Sequence, residues 1–294
     1  MHEYLRVGIV QSTLDYRSAW RSSPKMDSLE EKKAENEIDR SMNSFAAETN
    51  RPQIIVAPEL AAPHFMIAKL QRHADRLEAI VVAGMDYRLS DLGGRLTASN
   101  EAILFVPKRW LGSRTRSPRT RRVIGKTYPS DAEKRALSGF SREFSGDPFV
   151  WLFDGGDIGR FAIAICYDFL DLERLAMYRG RIHHFFVLAY NRDVNSFYYV
   201  AEAFARMACC NVVVCNTGYF GGSLAVSPYR EPFRRTIYRS EGAKLFTSQI
   251  VELPVESLDK HQKAPTADKN AEFKGLPPGY TEHQVLLKKE TPLF

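Results

Sequence analysis

The chain has 294 residues, of which 44% are hydrophobic and 26% are charged, and its formal net charge is +6. This balance is typical of a soluble globular protein with enough apolar material for a sizeable core. No apolar run approaches the ~20 residues that a membrane-spanning helix requires, which argues against an integral membrane protein. The mildly basic charge permits an acidic ligand or a nucleic-acid contact but indicates neither.

The start of the chain and its cysteines indicate a compartment. Met1-His2-Glu3-Tyr4 lacks a basic region followed by an apolar stretch, so no secretory signal is visible. The four cysteines are Cys166, Cys209, Cys210 and Cys215. They show no metal-ligand spacing, and an adjacent pair is poorly suited to disulfide bonding. These features predict a cytoplasmic protein with reduced thiols and no metal site.

Short β-prone runs recur along the chain. They cover residues 4–10, 54–57, 80–84, 102–106, 161–165, 185–188, 212–215 and 249–253. Several are continuously apolar, which is typical of strands covered on both faces. Helical patterns lie between them at 28–48, 66–78 and 196–210. This alternation predicts an α/β fold in one domain over residues 1–255.

The composition changes near residue 256. Beyond it Lys, Pro, Asp and Gly dominate, and Leu276-Pro277-Pro278-Gly279 can form neither a helix nor a central strand. Residues 256–294 are therefore predicted to be an irregular tail that packs on the domain or on a partner subunit.

Cys166 lies where a strand pattern meets a helical pattern, in the run Ile163-Ala164-Ile165-Cys166-Tyr167-Asp168, and the helical pattern continues over 168–178. The free N–H groups and the dipole of a helix N-terminus lower the pKa of a nearby thiol. Such a turn also leaves the N–H of Tyr167 free to face a developing oxyanion. Cys166 is therefore a candidate nucleophile, although free cysteine is also a common small core residue. The apolar patterns around the other three cysteines favour that core role.

Two other segments carry ionisable residues in unusual positions. Glu59 directly follows an apolar strand and Pro58, so it is poorly placed for solvation and suited to general-base work. Capping of the next loop or helix is the alternative for this carboxylate. Lys126 follows a short β-prone stretch, and Glu133 comes seven residues later in a predicted loop. A lysine taken alone is usually a solvated surface charge, so this segment gains meaning only together with the others.

Together these segments resemble the nitrilase superfamily of carbon–nitrogen hydrolases. Its members carry a glutamate, a lysine and a cysteine in this order, in contexts similar to Pro58-Glu59, Lys126 and Cys166-Tyr167-Asp168. A glutamate usually follows the cysteine by seven positions, as Glu173 does here. A second glutamate commonly follows the lysine with about the spacing of Glu133. Three such segments in the right order are far more specific than any one of them.

The resemblance implies a four-layer α-β-β-α sandwich and an enzyme that cleaves a non-peptide C–N bond of an amide or carbamoyl compound, with nitriles less favoured. It implies Glu59 as general base, Cys166 as the nucleophile that forms a thioester, and Glu133 as a residue that orients substrate or water. Lys126 and the Tyr167 N–H would stabilise the developing negative charge. Ammonia or an amine would leave, and no metal or organic cofactor is implied.

Further predictions concern substrate binding and assembly. Tyr190 and Asn191, directly after the strand at 185–188, are predicted to bind the substrate. The resemblance implies a homodimer or higher homo-oligomer that pairs through the helix after the cysteine and the helix near 196–210. The second helix is apolar nearly all round, and such an excess usually marks an interface.

Two segments depart from the family pattern. Leu170-Asp171-Leu172 stands where an Arg-Phe-Pro run is common, and residues 206–211 stand where an Arg-Ala-x-Glu-Asn stretch is common. Both departures lie outside the catalytic residues, so they leave the substrate and the subfamily open. The sequence also resembles nitrilase-like domains that are fused to bacterial reverse transcriptases.

An arginine-rich segment precedes Lys126. Five arginines lie between Arg114 and Arg122. Such a segment could bind phosphate or nucleic acid, or attract an anionic substrate. It contains no aromatic residues for base stacking, so a solvated connecting loop is the favoured interpretation. A nucleic-acid partner is therefore disfavoured but stays open.

Two other functions also stay open. One is a Cys–His hydrolase in which Cys166 pairs with His64, His183 or His184, although none of these histidines lies in a loop motif typical of such enzymes. The other is a non-catalytic ligand-sensing or assembly domain of the same fold. Hydrolysis of any simple amide would distinguish the enzyme from the sensor.

Overall fold

The computed structural model describes residues 1–110, 120–264 and 271–280. The strands in these ranges are β1 Tyr4–Gln11, β2 Ile54–Ala62, β3 Ile80–Met85, β4 Arg88–Leu92, β5 Arg95–Ser99, β6 Glu101–Val106, β7 Thr120–Gly125, β8 Glu143–Phe144, β9 Phe153–Asp154, β10 Arg160–Ile165, β11 His184–Ala189, β12 Asn211–Asn216, β13 Leu224–Val226, β14 Thr236–Arg239 and β15 Thr247–Pro254. Every strand predicted from the sequence is present, which confirms those predictions.

The helices alternate with the strands. They are α1 Tyr16–Ala19, α2 Ser28–Ala47, α3 Ile67–Leu77, α4 Asp131–Gly139, α5 Leu172–Tyr178, α6 Val194–Ala208, α7 Pro232–Arg235 and α8 Glu256–Lys263. Short 3₁₀ turns occupy His64–Met66, Gly156–Ile158 and Cys166–Leu170. None of the helices in the described ranges is long and apolar enough to cross a membrane.

The strands form two large sheets and a small one. The first large sheet has the order β15-β1-β2-β3-β6-β7, and the second has the order β14-β13-β12-β11-β10-β9. The small sheet has the order β4-β5-β8. Strands β1, β2 and β3 are parallel, as are β10, β11 and β12. The carboxyl ends of parallel strands share one edge of a sheet, where α/β proteins place their ligand sites.

The two large sheets stack face to face, and helices cover their outer faces. Along β2, Ile54 and Val56 face the core between the sheets, whereas Ile55 and Ala57 pack under α2 and α3. Along β10, inward residues such as Ile163 meet the same central core, and the alternate alanines pack under α5 and α6. The continuous apolar runs thus reflect burial on both faces. The structure confirms the predicted four-layer α-β-β-α sandwich.

The region beyond residue 255 is more regular than the sequence suggests. Residues 256–263 form helix α8, so the prediction of an irregular structure is wrong for this part. Gln262 fixes the helix to the domain by donating to the carbonyl of Cys209 over 2.7 Å. Further on, the ring of Phe273 stacks on Tyr229 at 5.2 Å between centroids. Both described parts of the tail therefore pack on the domain.

Most of the arginine-rich segment lies outside the described residues, which resume at Thr120. Arg121 and Arg122 belong to β7, where they contact Gln71 and Thr120 respectively. The predicted roles of the Arg114–Arg122 segment stay predictions.

Candidate active site

Glu59 occupies a break in the pairing of two central strands. Strands β2 and β3 pair in register up to Ala57, and the register then shifts before Ala62. Leu60, the residue after Glu59, has φ of 55°, in the left-handed region that bulky residues rarely adopt. Gly84 lies opposite, and a Cβ atom there would come within 2.5 Å of Glu59 Cα. The lack of a side chain at Gly84 on β3 therefore leaves room for the irregular part of β2 that carries Glu59.

Lys126 joins two carboxylates. Its Nζ lies 2.8 Å from Glu59 Oε1 and 2.6 Å from Glu133 Oε2. Glu133 lies in the first turn of α4, not in a loop as predicted, because Ser130 and Glu133 form a capping box at the helix start. The structure thus brings three of the predicted catalytic side chains into direct contact, with all three buried.

The charges of this cluster keep the lysine protonated. Burial would lower the pKa of Lys126, but the negative charges of Glu59 and Glu133 outweigh burial, and the net pKa is raised. The three side chains therefore hold one positive charge between two negative ones. A fixed ammonium group of this kind can stabilise an oxyanion because it needs no reorganisation during the reaction.

Two residues that sequence reasoning missed complete the cluster. Asn100 is fully buried, and its Nδ2 donates to Oε1 of both Glu59 and Glu133 over 2.8 Å. Tyr87 donates its hydroxyl to Glu133 Oε1 over 3.1 Å. Burial and the charge of Glu133 raise the pKa of Tyr87 well above its ordinary value, so it stays a donor. Neither residue stands in a motif, since an Asn before a strand is an ordinary turn residue.

Cys166 follows β10 directly and begins a 3₁₀ turn. Its φ of 47° is in the left-handed region, a strained conformation that often accompanies functional sites. The predicted helix over 168–178 is interrupted, because the Asp171 side chain caps α5 and starts that helix afresh at Leu172. Cys166 is partly exposed, whereas the other three cysteines are buried, which matches the predicted contrast in accessibility.

The prediction of a lowered thiol pKa at this turn is wrong. Burial raises the pKa of Cys166 well above its ordinary value, and the negative charge of Glu59 raises it further. Lys126 and the backbone N–H of Tyr190 act in the opposite direction without offsetting these effects. The dipole of a five-residue 3₁₀ turn is weaker than that of a full helix, so it lowers the pKa of the thiol less. The resting thiol is therefore protonated and needs a base.

The predicted oxyanion donor belongs to the same turn. Tyr167 is the second residue of the 3₁₀ turn Cys166–Leu170, and the first N–H groups of a helix have no partner within that helix. Glu173, the glutamate seven positions after Cys166, lies exposed in the first turn of α5. The backbone of Tyr167, not the side chain of Glu173, is thus the group next to the thiol.

The predicted substrate-binding residues flank the carboxylate of Glu59. The backbone N–H of Tyr190 donates to Glu59 Oε2 over 2.9 Å, and the Tyr190 hydroxyl donates to the carbonyl of Leu14. The side-chain amide of Asn191 donates within its own loop, to the carbonyl of Asp193. The backbone of Tyr190 therefore holds Glu59, and substrate binding by the two side chains stays a prediction.

The structure does not bring His183 or His184 to the cysteine. His184 pairs with Phe161, five residues before Cys166 on the neighbouring parallel strand, which corresponds to about 16 Å. His184 Nε2 donates to the carbonyl of Ile158 over 2.8 Å, and His183 contacts Asp259. This geometry argues against a Cys–His hydrolase that uses either of them.

His64 is engaged elsewhere, since its Nε2 donates to the carbonyl of Tyr87 over 3.2 Å. Among the residues that the structure describes, no group of three or more His, Cys, Asp or Glu side chains is arranged to hold a metal ion.

Comparison with known proteins identifies the architecture. The sequence matches no protein-family profile and no curated protein sequence. The structure is similar to that of Saccharomyces cerevisiae Nit3, a member of branch 10 of the nitrilase superfamily, with a TM-score of 0.62, 15% identity, and coverage of 92% of this chain and 97% of that one.

Two other solved structures show the same similarity. XC1258 from Xanthomonas campestris, a CN-hydrolase superfamily protein, gives a TM-score of 0.61 at 12% identity, over 90% of this chain and 95% of that one. An amidase from Nesterenkonia sp. gives a TM-score of 0.57 at 15% identity, over 88% and 94% of the two chains. The chain therefore has the fold of the nitrilase superfamily of carbon–nitrogen hydrolases.

Proposed function

We propose that this chain is a carbon–nitrogen hydrolase of the nitrilase superfamily, which cleaves an amide or carbamoyl compound through a thioester on Cys166. The observation that carries the proposal is the placement of the Lys126 ammonium between Glu59 and Glu133. Both Glu59 and Lys126 also act electrostatically on the Cys166 thiol. The closeness of a carboxylate, an ammonium group and a thiol supports the roles of base, cation and nucleophile proposed for them.

The raised pKa of the Cys166 thiol determines the first step. Because the resting thiol is protonated, Glu59 takes its proton as the sulfur attacks the substrate carbonyl. Negative charge then builds on the carbonyl oxygen, where the Lys126 ammonium and the Tyr167 N–H stabilise it. One such donor is typically worth about 3–4 kcal/mol in the transition state, so loss of Lys126 would be severe.

The second half of the reaction reuses the same groups. The proton on Glu59 passes to the leaving nitrogen, the C–N bond breaks, and ammonia or an amine departs from the acyl-enzyme. Glu59 then takes a proton from water as the water oxygen attacks the thioester, and it passes this proton to the sulfur, so that the C–S bond breaks, the acid leaves and the thiol is restored. Glu133, held by Lys126, Asn100 and Tyr87, keeps the ammonium in place and orients substrate or water.

A structural relative supports the choice of amides. A mutant of the Nesterenkonia sp. amidase shows covalent addition of the acetamide moiety of fluoroacetamide at its active-site cysteine, and it shares 16% identity with this chain and a TM-score of 0.58. A nitrile would need protonation of a thioimidate nitrogen, which the same residues could provide. The preference for amides over nitriles therefore rests on the relatives.

The test is ammonia release from matched amide, carbamoyl and nitrile compounds. We expect turnover of an amide or carbamoyl compound, its loss in Cys166→Ala, and its retention in the matched control Cys209→Ala. Faster turnover of the nitrile would overturn the bond assignment. No turnover of any compound by a folded protein whose Cys166 still reacts with fluoroacetamide would favour the ligand-sensing alternative.

A further inference from the structure

Asp168 connects the turn that carries the nucleophile with the segment that carries the lysine. Asp168 is fully buried in the 3₁₀ turn, two residues after Cys166. Its carboxylate accepts hydrogen bonds from the backbone N–H groups of Thr127 and Tyr128, both at 2.9 Å. These are the two residues that directly follow Lys126. The carboxylate thus bridges the segment that follows Lys126 and the turn that begins at Cys166.

Arg174 reinforces this bridge from helix α5. Its side chain is only 4% exposed, and its Nη1 lies 3.2 Å from Asp168 Oδ2. Its Nη2 donates to the hydroxyl of Thr127. One guanidinium group therefore contacts both segments, with the planar geometry that only arginine provides. The Arg174 cation also compensates the charge of the Asp168 carboxylate, since burial of a carboxylate without a cation is costly in free energy.

The Lys126 backbone is held from the other side as well. The Thr127 hydroxyl donates to the carbonyl of Asp147 over 2.6 Å, and the N–H of Asp147 donates to the carbonyl of Lys126 over 3.0 Å. The N–H of Lys126 donates to the carbonyl of Asn100 over 2.8 Å. The network leaves the Lys126 backbone little freedom, and Arg174 connects that network to the cysteine turn.

We propose that Arg174 is a positioning residue that acts through Asp168 and Thr127 to fix the Lys126 ammonium relative to the Cys166 sulfur. The effect that we expect Arg174 to have on turnover rests on the proposed function. A displacement of about 1 Å at a reacting group can cost about 100-fold in rate. Loss of the Arg174 guanidinium leaves the Thr127 hydroxyl with its bond to Asp147 but without its tie to α5, and it leaves the Asp168 carboxylate without its cation. The connection between the lysine segment and the cysteine turn is therefore weakened at both points.

The first experiment compares kcat and KM for a small amide in Arg174→Met, Arg174→Lys and the exposed control Arg181→Met. We expect Arg174→Met to lower kcat about 10- to 100-fold with little change in KM, because the substrate is still bound but the ammonium is misplaced. Arg174→Lys should recover part of the loss, since its ammonium can pair with Asp168 but cannot also reach Thr127. Arg181→Met should match the wild type.

The second experiment needs no turnover. Alkylation of Cys166 by iodoacetamide reports the charges that face the thiol, which are those of Glu59 and Lys126 with Glu133 behind the lysine. In Arg174→Met the ammonium is less well placed, so the pH profile of alkylation should move to higher pH. Thr127→Val removes the hydroxyl that Arg174 contacts, and it leaves the Asp168 carboxylate paired with Arg174. If Arg174→Met does not fold, Thr127→Val should show the same shift of the alkylation profile.

The outcomes of the two experiments decide whether Arg174 positions Lys126. A shifted alkylation profile together with the fall in kcat supports the proposal. Unchanged kcat and alkylation in folded variants would overturn it, as would a loss of activity that only follows the loss of folded protein. If the wild type hydrolyses no compound, the alkylation profiles still show whether Arg174 fixes the position of the Lys126 ammonium, and only the proposed function fails.

Discussion

Asn100 and Glu133 are joined by a hydrogen bond of 2.8 Å from the Asn100 amide to Glu133 Oε1, and the same nitrogen also donates to Glu59. Asn100→Ala would leave two buried carboxylates without this shared donor. We expect a loss of about 1–3 kcal/mol in the free energy of unfolding, because each of two buried carboxylate oxygens loses one of its donors. We also expect a fall in kcat, because the two carboxylates that contact the Lys126 ammonium are then held less firmly.

Urea denaturation and steady-state kinetics would measure these effects, with the exposed Asn195→Ala as the matched control. Wild-type kcat in Asn100→Ala would contradict a role for Asn100 in the site.

Removal of the Glu59 charge should make the Cys166 thiol more reactive towards an alkylating agent. Burial is the main cause that raises the pKa of the Cys166 thiol, and the charge of Glu59 is the next. Glu59→Gln removes that charge, so the thiol pKa falls and iodoacetamide labelling near neutral pH becomes faster, while turnover is lost. Lys126→Met should slow labelling, because the lysine lowers the thiol pKa. The exposed Glu241→Gln serves as the control.

Peptide mapping of the same reactions tests accessibility. Cys166 should be labelled before Cys209, Cys210 and Cys215, since it is partly exposed whereas the other three cysteines are buried. Faster labelling of Cys209 or Cys215 would contradict the assignment of Cys166 as the nucleophile.

The α-β-β-α sandwich could be predicted from the sequence because each central strand is buried on both faces. Such a strand appears as an unbroken apolar run, as in residues 54–57. The order of Glu59, Lys126 and Cys166 along the chain was also sufficient to predict that the three residues form one site. The helical position of Glu133 could have been predicted as well, since Ser130 and Glu133 have the spacing of a capping box.

The remaining features depend on contacts between distant residues. The bridge from Asn100 to two carboxylates and the pairing of Arg174 with Asp168 have no local signature in the sequence. The thiol pKa of Cys166 depends on desolvation by the packed sandwich, which outweighs the local effect of the turn. Sequence patterns report local geometry, whereas these properties arise only once the layers have packed.

Assembly can be tested on α6. Phe197 and Phe204 pack against their own sheet, but Tyr199 and Met207 on the same helix are 67% and 51% exposed. This apolar surplus supports the predicted homodimer, because exposed large apolar side chains on one helix often mark an interface. Light scattering should show a dimer at micromolar concentration, and the double change of Tyr199→Ser and Met207→Ser should weaken it. Leu29→Ser, at a still more exposed site on α2, should not weaken the dimer, and a wild-type monomer would contradict the prediction.

The last prediction concerns the pH dependence of stability and rests on His184. This side chain is fully buried, and burial, followed by the effect of His183, lowers its pKa from 6.5 to about 3. Between these two values the unfolded chain binds a proton that the folded protein does not. The contribution of His184 to the free energy of unfolding therefore has its full value above about pH 6.5, and it falls as the pH is lowered towards 3.

Asp86 and Asp168 contribute with the opposite sign, because burial raises the pKa of each carboxyl group. The difference between wild type and His184→Gln therefore isolates the histidine. At pH 7 the variant should be less stable by about 1–3 kcal/mol, because the hydrogen bonds to Ile158 and Asn211 are disturbed. The deficit should shrink as the pH falls from 6.5 to 4, since only the wild type loses stability through His184. Urea denaturation at several pH values measures this convergence, with His2→Gln as the control, and a deficit that stays constant with pH would show that His184 does not titrate as a buried neutral group.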